Sequence, residues 1–172
     1  MRRVPLRRVR AAARRPSRAA AISRAIWTTK SRSDGEVPVQ HTTNYFSAFI
    51  SVSPDTEARA GVIPGKAGSV ADLQYRMIAA APYRHSSDDV IFTVHADRAG
   101  LSEGERPAAR AAFFSKGQAC LRASPLVKSF GWGVHHDADG RVALAACESA
   151  DYAKLSSDPE LDQIPGMCST RA

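Results

Sequence analysis

The chain has 172 residues, with 24 Lys and Arg against 17 Asp and Glu and a formal net charge of +7. That length suggests one domain, with or without a tail. Its three cysteines, odd in number and widely spaced, argue against a secreted disulfide framework and for a reducing compartment.

The charge is unevenly spread. Residues 1–33 hold ten Arg and Lys30 with no acid, leaving thirteen basic against seventeen acidic residues in the rest. A basic chain of this kind suggests nucleic acid, yet the part able to fold is mildly acidic. Residues 1–38 are therefore read as a disordered basic extension, and 39–172 as a single domain. The longest uncharged run between Arg2 and Arg32 is five residues, too short for the apolar block of a secretory signal. Three readings fit the extension: a mitochondrial-type transit peptide, a basic arm for nucleic acid or acidic lipid, or upstream sequence ahead of an alternative start at Val37 or Val39. The third is preferred, which makes the protein cytoplasmic; the first would make it mitochondrial. Nucleic acid is expected only through the arm. No run approaches a membrane span, so no membrane partner is expected.

Along the folded part, residues 41–53 are rich in aromatic and β-branched side chains and predict a strand. Pro64, Gly65 and Gly68 mark a loop. Ser69, with Asp72 three residues on, predicts a helix start, and Pro82 its end. Residues 89–96 alternate Val90, Phe92 and Val94 against Ile91, Thr93 and His95, which predicts a central strand packed by helices. A second helix is predicted over 105–116. Ser124 before Pro125, with Gly131 after, specifies a short helix at both ends. Residues 132–136 and 141–148 flank Asp139-Gly140. Of two hairpin registers, a three-residue loop with Gly140 left-handed is preferred, because it puts Trp132, Val134, Val142 and Leu144 on one face. It pairs Val134 with Leu144 and Trp132 with Ala146, and sends His135 to the opposite face from His136. A last short helix over 149–155 precedes an irregular tail. The pattern is α+β, a largely antiparallel sheet with two main helices and short capped helices.

No motif fixes a reaction or a cofactor. Gly61-Val62-Ile63-Pro64-Gly65-Lys66 has three residues between its glycines and Ala67 after the lysine, so it fails as a phosphate loop. No pair of histidines or cysteines has zinc spacing. A metal site would have to assemble from His95, His135 and Asp88 across the sheet. Asp88-Asp89 read more readily as a cap than as an acid/base pair. The most physical site is Arg122-Ala123-Ser124-Pro125, where a helix start, the Ser124 hydroxyl and the Arg122 fork together favour an anion. Trp132 between Gly131 and Gly133 offers a stacking floor, or simply core packing.

These segments, His41-Thr42-Thr43-Asn44-Tyr45, Ser87-Asp88-Asp89, Arg122-Ala123-Ser124-Pro125-Leu126 and Gly131-Trp132-Gly133-Val134-His135, together with Asp139-Gly140-Arg141, resemble a family of small bacterial and fungal proteins catalogued as a domain of unknown function. The resemblance runs from about His41 to the C-terminus, and similar proteins begin near that segment. It implies no activity, cofactor or catalytic residue. Phe130 departs from it, standing where a tyrosine is expected.

The resembling segments are polar or Gly-rich, and His41, Asp88, Asp89, Arg122, Ser124 and His135 are expected to converge on one face of the sheet. The leading expectation is a protein that binds a small anionic ligand through Arg122, Ser124, His41 and Trp132, with His135, Asp88 and Asp89 as orienting or acid/base groups and no metal. The alternatives are a metal-dependent hydrolase and a non-enzymatic interaction module.

Overall fold

The computed structural model of the chain describes residues 40–169, and the predicted basic extension lies outside them. Strand β1 (Ala48–Ser51) is followed by helices α1 (Val70–Ala80), α2 (Ser87–Ala99) and α3 (Arg106–Phe113). A 3₁₀ turn (Leu121–Ala123) leads into α4 (Pro125–Ser129), then hairpin strands β2 (Trp132–His136) and β3 (Val142–Ala146). Helix α5 (Ala150–Ser157) and strand β4 (Asp162–Pro165) complete the domain. The class is α+β, with two corrections. The sheet, in order β3-β2-β1-β4, is mixed, because β4 runs parallel to β1 while β2 pairs antiparallel with both β1 and β3. The described residues form five α-helices, more than the two main ones expected.

The capped elements form as predicted. Ser69, Ser124 and Ser149 each accept a backbone N–H in the first turn of α1, α4 and α5. In the hairpin, Val134 pairs with Leu144 and Trp132 with Ala146, and Gly140 sits at φ 74°. Gly131 is left-handed at φ 71°, and a Cβ there would lie 2.2 Å from the Ala60 carbonyl oxygen.

Three segments differ, one of them the tail expected to be irregular, which contains β4. The predicted strand over 41–53 narrows to Ala48–Ser51, because residues 42–44 turn away to bind the start of α2. The predicted central strand over 89–96 is the middle of helix α2. Its start carries a full capping box, Ser86 with Asp89, and its end a left-handed Gly100 at φ 68°. The alternation misled because α2 is buried on two sides. Val90 joins the main core with Ile50, Ile78, Leu121, Val127, Val134 and Val142. Phe92 and Ala96 pack instead with Phe114 in a second cluster. A helix that buries two flanks spreads its apolar residues around the axis, with its charged ones at the start and end, and loses the one-sided helical signature.

The sheet separates two faces. Ile50, Val134 and Val142 point to the side covered by α1, α2 and α4. Phe49 points to the other, where its ring meets Tyr152 of α5 edge-on at 5.0 Å. No helix of the described residues is long and apolar enough to cross a membrane.

Candidate functional site

The start of α2 is held by the segment before β1. The Asp88 carboxylate accepts from the Thr42 hydroxyl, the Thr43 N–H and the Thr43 hydroxyl, each at 2.7 Å, and from the Asn44 amide at 3.2 Å. Asn44 Oδ1 in turn accepts the Asp88 N–H at 3.0 Å. Asp89 closes the capping box and pairs with Arg110 at 2.9 Å. Burial pushes its carboxyl up, but the Ser86 donors and the Arg110 guanidinium outweigh this and hold it below the usual range. His41 and Asp88 line one cavity with Arg110 and Phe114. The two carboxylates thus fasten the chain to the helix, which explains why these polar segments stand out in the sequence.

The Arg122–Leu126 segment fastens a second junction. Arg122 Nε donates to the Pro165 carbonyl at 2.6 Å, joining the 3₁₀ turn to β4. Buried Ser124 accepts the Leu126 N–H at 3.1 Å and donates to Gln74 Oε1 of α1 at 2.6 Å. Beside that bond a cleft of about 220 Å³ opens between α1, α2 and residues 119–125. Its walls include Val70, Ile91, Val94, Phe113 and Pro125, and its polar groups are Gln74, Ser124, Cys120, His95 and Arg98.

The polar groups of this cleft are unevenly satisfied. Gln74 is only 6% exposed, its oxygen is taken by Ser124, and its amide nitrogen has no partner among the described residues while keeping access to solvent. Arg98 likewise has no acidic partner among them, whereas the neighbouring Asp97 is paired with Arg106. His95 is exposed, and its ring lies 4.6 Å from that of Phe113 at 34°. Cys120 Sγ is 3.4 Å from the Tyr45 hydroxyl, and that hydrogen bond, with burial, raises the phenol above its ordinary value.

His135 stands apart from all of this. On β2 it alternates with core residues Val134 and His136 and faces the α5 side of the sheet. There the Tyr83 hydroxyl meets His135 Nδ1 at 2.9 Å, beside a cleft of about 340 Å³ that Asp151, Lys154 and Leu155 also line. Tyr83 has a left-handed backbone, φ 58°, which costs a non-glycine residue on the order of 1 kcal/mol or more. Its N–H donates to the Val142 carbonyl at 2.9 Å, and this clips the turn to the β3 edge.

The expected convergence therefore does not occur. His41, Asp88 and Asp89 gather at the start of α2, Ser124 and His95 share the α1–α2 cleft, and His135 lies across the sheet. Asp88 and Asp89 are taken up at the start of α2 by residues 42–44, Ser86 and Arg110, and Arg122 by the Pro165 carbonyl, so none of them is carried toward His135. Among the described residues no three His, Cys, Asp or Glu side chains are grouped to hold a metal ion, so His95, His135 and Asp88 form no ligand set. Trp132, at the start of β2, packs against the loop before α1: its indole N–H donates to the Val62 carbonyl at 2.9 Å, and Gly61 lies against its ring.

A family model described as a family of unknown function, DUF6157, matches residues 40–172. The chain belongs to this family. No curated protein and no solved structure matches it. The DUF6157 match spans every site just described, including the Gln74, Arg98 and Tyr83 positions that the sequence reading missed. Gln74 had a signal: it interrupts the Val70, Gln74, Ile78 row of one helix face with a polar group. Tyr83 had none, because nothing before a structure marks a left-handed tyrosine.

Proposed function

We propose that the chain binds a small anionic ligand with an apolar body in the cleft between α1, α2 and the Ser124 turn. The observation that carries this is the Gln74 amide nitrogen, a donor with no partner among the described residues, on a largely buried side chain that lines the cleft and still reaches solvent. A ligand acceptor placed there exchanges water for a direct hydrogen bond, worth about 0.5–1.5 kcal/mol net. Arg98 supplies positive charge in the same cleft without an internal acid to neutralise it. A guanidinium so placed suits carboxylate or phosphate. Val70, Ile91, Val94 and Phe113 supply the apolar wall, in the mixture of apolar lining and few polar groups usual for ligand sites. Ser124 orients Gln74 rather than meeting the anion through Arg122, whose guanidinium is engaged with Pro165. The three free cysteines fit a reducing, cytoplasmic setting.

The test is a thermal-shift panel of aromatic and aliphatic carboxylates and sugar phosphates on the full chain. A ligand at a hundred times its Kd adds about 2.7 kcal/mol, a rise of several degrees at this size. The reading expects a shift with one anionic class that Arg98→Ala abolishes while leaving the unliganded Tm near its original value. Stabilisation that survives both Arg98→Ala and Gln74→Leu would place the ligand elsewhere.

A further inference from the structure

The His135–Tyr83 cleft lies on the other face of the sheet from the Gln74 cleft, and its chemistry differs. We propose that it is a proton-transfer site for a small 2-oxo acid, with His135 Nε2 as the base, Tyr83 as the group that positions the imidazole, and Lys154 as the partner of the substrate carboxylate.

Four observations carry this. Nδ1 of His135 is engaged by the Tyr83 hydroxyl at 2.9 Å, while Nε2 has no partner among the described residues and keeps access to solvent. Either atom of that contact can donate; when Nδ1–H donates to the phenol oxygen, the lone pair sits on Nε2, the tautomer a base needs. Tyr83 is held edge-on to the imidazole by a left-handed backbone clipped to Val142, a strained arrangement of the kind that collects at functional sites. Among the described residues the cleft is walled by Pro82, Ala143, Leu144, Ala145 and Leu155, with Asp151 and Lys154 its charged groups beside His135. Lys154 is 79% exposed and only loosely paired with Asp151 at 3.8 Å, so a carboxylate can replace that contact.

The charged surroundings are consistent with a neutral base. Burial lowers the His135 value, opposed in part by Asp137 and Asp158, and the adjacent His136 is neutral. Burial, then Asp137 and Asp151, raises the Tyr83 phenol, so it stays protonated. The substrate class follows from the groups present: an apolar body for the wall, a carboxylate for Lys154, and a weakly acidic C–H beside a carbonyl for His135. In the step, the C–H bond next to the carbonyl breaks and its proton goes to Nε2. The electron pair forms the carbon–carbon double bond of the enolate, and the carbonyl oxygen takes the negative charge. The imidazolium then returns a proton to that oxygen or to the carbon, so no oxidant, reductant or second substrate is needed.

The experiment uses the full chain in deuterated buffer with phenylpyruvate, following loss of the methylene proton signal by NMR. The expected result is exchange at least tenfold faster than with free imidazole at the same concentration. His135→Gln should return it to the buffer rate. Tyr83→Phe should lower the limiting rate several-fold and move the midpoint of the pH profile, a change that mere loss of packing would not produce. Lys154→Ala, on an exposed helical face, should raise the half-saturating concentration while leaving the limiting rate near its original value. Exchange no faster than imidazole, or exchange that persists in His135→Gln, would overturn the assignment.

Discussion

The Ser124 hydroxyl donates to Gln74 Oε1 at 2.6 Å, and both residues are buried. That single bond ties the start of α4 to α1 and fixes which end of the Gln74 amide faces the cleft. Ser124 also caps α4 through the Leu126 N–H. Ser124→Ala should therefore cost about 1 kcal/mol for the cap and about 1–3 kcal/mol for the orphaned Gln74 oxygen. Urea unfolding measures the sum; a loss below about 1 kcal/mol would mean that the amide finds another partner.

The second prediction concerns the Asp88 clamp. Four donors converge on this carboxylate from Thr42, Thr43 and Asn44. Asp88→Ala should lower stability by about 2–4 kcal/mol, the range for losing several charge-assisted bonds at a partly buried site. Asp88→Asn, which keeps one acceptor, should lose less. Hydrogen exchange at the Thr43 and Asp88 amides should rise in both variants relative to the core strands, and unchanged protection there would contradict the clamp.

His136 gives the chain a defined acid sensitivity. It is fully buried, edge-on to Tyr45 at 5.4 Å, and among the described residues neither ring nitrogen makes a well-formed hydrogen bond, the Tyr45 backbone offering only a weak one. Burial, with a smaller push from His135, lowers its pKa from 6.5 to about 4, against weaker pulls from Asp137 and the Tyr45 backbone. The unfolded chain therefore takes up a proton below about pH 6.5 that the folded chain refuses until about 4. This contribution to stability is complete above pH 6.5 and is lost as pH falls toward 4, by about 3 kcal/mol at the lower end. His135, also lowered, acts in the same direction. His136→Leu should flatten the stability profile between those pH values in urea titrations, and a variant with the original slope would assign the acid loss to other groups.

How much of this was legible beforehand depended on where the deciding contacts lie. Caps are local, so Ser69, Ser124 and Ser149 announce their helices within four residues. The hairpin register follows from alternation alone, because only one pairing puts Trp132, Val134, Val142 and Leu144 together. Helix α2 was hidden because its two flanks pack against different clusters, although Ser86 with Asp89 and Gly100 marked both ends. Strand β4 was hidden because Asp162-Gln163-Ile164-Pro165 is a half-polar edge strand whose pairing is chosen by β1. Arg122 looked like an anion ligand because the carbonyl that claims it, Pro165, is 43 residues away. The sequence set the polar segments apart but offered no means of telling a clamp from a site.

The most direct test of the anion cleft is an NMR titration of the full chain with benzoate, watching the Gln74 side-chain amide and the Arg98 Nε–H. The account predicts that both move together along one saturable curve, that inorganic phosphate moves Arg98 more than Gln74, and that Arg98→Ala removes the response. If benzoate saturates a site elsewhere while the Gln74 amide stays fixed, the cleft is not where this protein takes its ligand.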